Sequence, residues 1–446
     1  MLGMSFRSAL LLLLASACAA QSLDGVWRTR GYGLVFEVHG SSLKAYEVTS
    51  TTCLPGFTAT RSDSAGPGRE AVFTTIGGGV FLVRAGGTAD HKLLHGDGSA
   101  SDMRIDRIAK MPAACDPPTA NDPQDNFEVF SRTWAENYIS FDLKKTDWSK
   151  VVEANRAKVT AQTTPEQLFD IFESMIQPFG DAHTSIRASE LKRTFHGFRP
   201  GAAEPDQKEL PGIFAVTDRA YLHGPLQKFC NDRIQYGHID DGTGYLRITA
   251  FAGYAKSGGF AGGLEALEAA LDTIFSDTAL KALVIDVRIN FGGADPYGLA
   301  IASRLATREY LAYTKEARDG NGWTPGDPSV VRPSTRPGFR GPVVELTGPV
   351  TISAGETFTQ ALMARTPHVT RIGENTQGVF SDVLGRGLPN GWSFGLPNEV
   401  FRTPDGKTFD GPGIPPDVAV PVFARQDLDA GKDPGLARAL QVLAKH

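Results

Sequence analysis

The sequence predicts an α/β protein whose 446 residues fall into stretches of different pattern. Between Ser22 and about Ala114, short β-prone runs punctuated by glycine, such as Gly31–His39 and Leu43–Val48, read as strands. From Asp122 to about Gln177, apolar residues recur at the three- and four-residue spacing of amphipathic helices. Further on, Leu283-Val284-Ile285-Asp286-Val287-Arg288 reads as a buried strand that stops in the glycine turn Ile289–Gly293. A later apolar run ending Gly348-Pro349-Val350 leads into what reads as a helix.

At the N-terminus, Arg7 precedes the apolar run Ala9–Ala15, and small residues from Ser16 to Ala20 offer cleavage sites before Gln21. Residues 1–20 therefore read as a secretory signal peptide, too short to span a membrane. Simple cleavage is the preferred reading. Lipidation at Cys18 is the alternative, with Ala15 where a lipoprotein usually has leucine. The expected location is outside the cytoplasm, periplasmic or extracellular.

Residues 21–118 are expected to form a small β-sandwich or barrel. In an oxidising compartment a Cys53–Cys115 bridge would tie this domain together and leave Cys230 unpaired and buried, although other pairings remain open. Residues 122–190 are expected to form a helical subdomain, including a helix from Pro165 to about Gln177. Its stripe of Phe127, Phe130, Trp134 and Tyr138, followed by Trp148, Leu168, Phe169, Phe172 and Ile176, reads as core rather than a ligand box. A connector rich in proline and glycine spans 191–240, the main α/β domain 241–425, and a C-terminal helix 426–446.

The net charge of −5, without a basic stripe or interleaved aromatics, argues against nucleic acid as a partner. The chain shows no Walker-type loop, heptad run or internal repeat. Cysteines and histidines do not recur at zinc spacing, so neither a metal nor a cofactor is implied.

Three elements carry the chemistry. In Thr351-Ile352-Ser353-Ala354-Gly355-Glu356, Ser353 stands between a strand and a helix. There a hydroxyl can act as nucleophile while unpaired helix N–H groups face a developing anion. A lone serine before a helix is usually only a cap; its companions make the difference. In the Gly292-Gly293 turn the backbone can come close to a ligand, so an N–H of Gly292 or Gly293 could join that of Ala354 in an oxyanion hole. The third element is Gly180-Asp181-Ala182-His183-Thr184, just beyond the Pro165 helix, where His183 is the candidate base.

With these elements in this order, the chain resembles the tail-specific and tricorn-type serine peptidases from roughly Asp122 to Val422. The further segments Gly244–Ile248, Ile372–Gly378, Leu388–Gly391 and Gly411–Val418 add to the likeness. The resemblance implies a ClpP/crotonase-like core. It also implies an exported serine peptidase that cleaves peptide or protein substrates through an acyl-enzyme on Ser353.

Relatives that activate serine with lysine carry it after the glycine of a Gly-x-x-Thr/Ser-x-Gly turn, where this chain has Val379, which cannot accept a proton. Asp181-Ala182-His183-Thr184 instead matches the Asp-x-His-Thr signature of tricorn-like members, which makes His183 the general base and acid. Those members steady the histidine with a serine and a glutamate, and Ala182 replaces that serine. Glu399 falls at or near the family's glutamate and could act directly, through water, or through Thr184, Ser185 or Ser381; Glu374 is a second candidate. Two alternatives stay open: a non-catalytic carrier of hydrophobic ligands on the same fold, and an esterase.

Overall fold

The computed structural model describes residues 23–62, 70–200, 206 and 208–445. The signal peptide expected at 1–20, with Cys18, lies outside the described residues.

Of the two shapes expected for the β region, the chain adopts the barrel. Eight antiparallel strands run from Gly25–Thr29 to Met103–Ile108, and the first pairs with the last, so the sheet has no free edge. Trp27, Phe36, Phe73, Leu94 and Ile105 fill its interior. The strand expected over Gly31–His39 begins only at Leu34, because Gly31, Tyr32 and Gly33 all take positive φ (68°, 60° and 59°) and form a turn that projects Tyr32 away from the ladder. A disulfide joins Cys53 to Cys115 across a sequence separation of 62 and holds the barrel to the segment entering the first helix. Cys230 is unpaired and buried.

Three helices follow, Pro123–Asn137, Trp148–Arg156 and Pro165–Ile176. Their N-caps Asp122, Asp147 and Thr164 each accept a backbone N–H from the first turn. The aromatic stripe is core as expected: Phe127, Phe130, Trp134, Tyr138 and Phe172 pack with Trp392 and Phe394 from much later in the chain. Phe179 stacks on Trp134 and Tyr138 at 5.4 Å and 4.8 Å between ring centroids, so the packing continues to the left-handed Gly180 and the turn that carries His183.

The main sheet has seven strands in the order Gln227–Phe229, Ile234–His238, Thr243–Ile248, Ala282–Asp286, Val343–Thr347, Val369–Gly373 and Val418–Ala419. The last five run parallel and the first two are antiparallel. The sheet thus starts before residue 241: part of the expected connector is its edge, and another part is the helix Leu210–Tyr221. Every residue of Thr243–Ile248 is buried, as expected of a parallel strand covered on both faces. Two strands beyond the helical region tie it to the main domain, since Ser185–Ala188 pairs with Ser393–Pro397, which pairs in turn with Val383–Gly387. Among the described residues, no helix is long and apolar enough to cross a membrane.

Candidate active site

The short parallel pair Ile289–Asn290 and Val350–Thr351 sets the glycine turn beside the serine. Thr351 Oγ1 donates to Val287 O (2.7 Å) and Ile352 N–H to Asn290 O (3.0 Å), which lock the two segments together. Ser353 then takes φ 56° and ψ −119°, a region a non-glycine residue enters only at a cost of about 1–3 kcal/mol. It is the one partly exposed residue in the otherwise buried run Thr351–Leu362.

Gly292 faces it so closely that a Cβ there would lie 2.7 Å from Ser353 Cβ and 3.2 Å from Ala354 N. The two glycines are not equivalent. Asn290, fully buried, accepts the Gly292 N–H on Oδ1 (2.9 Å) and donates through Nδ2 to Ile248 O (2.9 Å). Of the expected oxyanion donors, Gly292 is therefore already engaged, leaving the Gly293 N–H, which Asn290 does not take, and that of Ala354 at the helix start. The reason is the side chain of Asn290, whose reach back to its own turn the sequence pattern did not reveal.

Glu356, one turn into the helix Ala354–Met363, is also fully buried. Its carboxylate accepts N–H groups from Ser353 (3.2 Å), Gly378 (2.6 Å) and Val379 (2.8 Å). Burial pushes it up to about 7, against the opposing pull of Thr376 and those N–H groups. The turn where some relatives place a lysine is thus fastened to the backbone of Ser353 by a carboxylate, and Val379 there is buried.

His183 is 8% exposed, and its Nδ1 has no hydrogen-bond partner. Its backbone N–H donates to Asp181 Oδ1 (2.8 Å), and Thr184 Oγ1 donates to Asp181 O (2.7 Å). Burial lowers its affinity for a proton, Asp181 and Asp382 work against that, and His196 adds to it. Ala182, next to His183, shares an apolar cluster with Ile352, next to Ser353, and with Val379. One patch of core therefore joins the histidine turn to the serine turn.

Glu399 does not bond to His183. Its carboxylate accepts from Tyr32 Oη (2.7 Å) and the Asp382 N–H (3.2 Å), and pairs with Lys315 Nζ (3.2 Å). Lys315 also reaches Asp382 (2.7 Å). Burial raises Glu399; burial opposes the charge on Lys315, but Asp382 and Glu399 outweigh it and keep the ammonium charged. Asp382 itself is half accessible and lines a cavity with Gly293 and Asp295. The other candidate, Glu374, turns away to accept the Val422 N–H at 2.9 Å. Of the hydroxyls considered as relays, Ser381 Oγ is occupied by Asp382 O and the N–H groups of Asn398 and Glu399. Lys315, Asp382 and Tyr32 had no signal in the sequence, since each gains its neighbours only through tertiary pairing, whereas Glu356 stands in the serine motif and only its bonds to Gly378 and Val379 needed the fold.

Two family models match the chain in the expected order: residues 119–177 match the tricorn protease C1 domain and residues 242–420 match peptidase family S41. An α/β core of this kind preceded by that helical segment defines a serine-type peptidase, a hydrolase. Residues 242–420 thus carry a peptidase family S41 domain, preceded by a segment that matches the tricorn protease C1 domain. Among solved structures it is similar to a putative peptidase from Parabacteroides merdae ATCC 43184, with 26% identity over 72% of this chain and 97% of that one and a TM-score of 0.59. It is also similar in fold to mature CPAF (12% identity, 72% of this chain and 95% of that one, TM-score 0.54). The same holds for mature CPAF complexed with lactacystin (12% identity, 73% and 98%, TM-score 0.55). No curated protein sequence matches the chain. Neither matched family segment includes the barrel strands, which end at Ile108.

Proposed function

We propose that this protein is an exported peptidase that cleaves peptide bonds through an acyl-enzyme on Ser353, with His183 as general base and acid. The Ser353 oxygen attacks the substrate carbonyl carbon while the imidazole takes the hydroxyl proton. The resulting oxyanion is held by the N–H groups of Gly293 and Ala354. As the C–N bond breaks, the imidazolium returns that proton to the leaving amine. Water, deprotonated by His183, then attacks the ester and frees the acid product and Ser353. Glu399 belongs to the charge network behind the histidine rather than in contact with it.

The observation that carries this reading is the strained, partly exposed Ser353 pressed against Gly292 at the start of a helix. The Cys53–Cys115 disulfide supports export, because such bonds persist in oxidising compartments. A fluorophosphonate probe is expected to label the wild-type protein and leave Ser353→Ala unlabelled with its fold intact. Labelling of that variant at the wild-type level would refute the assignment, and comparing peptide with ester turnover separates peptidase from esterase.

The carrier alternative has one observation in its favour. A cavity of about 680 Å³ adjoins the serine segment, with Ile213, Val216, Ile289, Val350 and Phe423 on its apolar side and Arg219, Arg288 and Arg425 among its charged lining, and is large enough for a small amphipathic ligand. Lipid co-purifying with a protein that the probe does not label would favour that reading.

A further inference from the structure

The barrel does more than pack against the catalytic domain. Its Gly31-Tyr32-Gly33 turn is fixed from both sides: Gly31 N–H donates to Asp319 Oδ1 (3.1 Å), and the Arg386 guanidinium donates to Tyr32 O. So held, Tyr32 hydrogen-bonds Glu399 at 2.7 Å. From Glu399 the contacts run through Lys315 Nζ and the Asp382 N–H to Asp382, the residue just before the strand Val383–Gly387. That strand and the histidine turn converge on Gly395, where a Cβ would lie 2.7 Å from Val383 Cγ1 and 3.8 Å from His183 O. A second barrel segment, residues 97–100, forms one wall of a cavity of about 310 Å³ whose other wall includes Gly293, Asp295 and Asp382.

We propose that Tyr32, supplied by the barrel, is a positioning residue for His183, acting through Glu399 and Lys315 on Asp382. The proposal rests on the peptidase reading above and adds a part that neither matched family segment contains. The charged groups facing the imidazole are Asp181, Asp382 and His196, and Asp295 faces the network from the helix Asp295–Leu305. The Tyr32 hydroxyl favours the ionised form of Glu399. Removing it leaves the network less negative, so the imidazolium loses support and the acid limb of the rate profile moves to lower pH.

The test is peptide hydrolysis by the full-length protein across about pH 5–9 for wild type, Tyr32→Phe, Glu399→Gln and the double variant, with Ser353→Ala as the blank. Tyr32→Phe is expected to lower kcat about tenfold with KM within about twofold, to shift the acid limb downward, and to add nothing in the Glu399→Gln background. A Tyr32→Phe profile that superimposes on wild type, or an equal loss in the Glu399→Gln background, overturns the proposal. Should Tyr32→Phe fail to fold by thermal melting, Glu399→Gln decides alone, and an unmoved kcat and acid limb there overturns it too. Wild-type protein without Ser353-dependent turnover sinks the peptidase reading and this proposal together, whereas an active wild type indifferent to Tyr32 sinks this proposal only.

Discussion

Ser353 and Gly292 meet at a separation that leaves no room for a side chain on the glycine. The left-handed φ of 72° at Gly292 makes any substitution there doubly unfavourable. Gly292→Ala should therefore displace the serine turn and reduce Ser353-dependent turnover by about 100-fold or more, since small displacements at a reacting centre cost that much. The check is kcat/KM beside a circular dichroism spectrum, and a folded variant with undiminished turnover would contradict it. The types of these residues were legible in the sequence. The division of labour between Gly292 and Gly293 was not, because Asn290 settles it with a side-chain hydrogen bond across two residues.

At the scale of elements, the helix Ala354–Met363 and the Gly378–Val379 turn are joined through Glu356. Glu356→Gln puts an amide donor against N–H donors and is expected to slow probe labelling of Ser353 about tenfold. The pH dependence has a definite sign. Because burial lifts Glu356 to about 7 from an ordinary 4.5, the folded state holds its proton more tightly than the unfolded state. This group's contribution to stability is therefore largest below about pH 4.5 and is lost as the pH rises through 7. Melting curves across that window should show the variant gaining on wild type as pH rises; parallel curves would refute the assignment. The sequence predicted this helix and its leading serine, but Glu356 lies 22 residues from Gly378 and pairs with it only once the strand Val369–Gly373 has joined the sheet.

Across the whole molecule, two long-range ties join segments remote in the chain. Near the C-terminus, Asp433 caps the helix Pro434–Leu443 and pairs with Arg288, both almost wholly buried. Burial works to raise Asp433, but Arg288 more than offsets it and brings the carboxyl down to about 2. Its stabilisation, about 2 kcal/mol, is present above roughly pH 4 and drains away as the pH falls toward 2. Asp433→Asn should lower the melting temperature at neutral pH, with the deficit shrinking in acid; an equal deficit at both would count against the pairing. Near the N-terminus, replacing Cys53 and Cys115 by serine should destabilise the protein by about 4 kcal/mol on the loop-closure scale for their separation of 62, read from denaturant unfolding.

By itself the sequence determined the α/β class, the β region followed by helices, the helix from Pro165, the aromatic core, and the serine, glycine and histidine segments. The elements depend on residue periodicity and on backbone demands local to each segment, and the serine, glycine and histidine segments on the motifs that carry the family resemblance. Only the tertiary structure decided that the β region closes as a barrel, that the sheet draws its edge from the expected connector, and that Glu399 faces Tyr32, Lys315 and the Asp382 N–H instead of His183. Those outcomes depend on hydrogen bonds and buried charges between residues remote in the chain, such as Tyr32 and Glu399, and no local pattern encodes which remote partner will arrive.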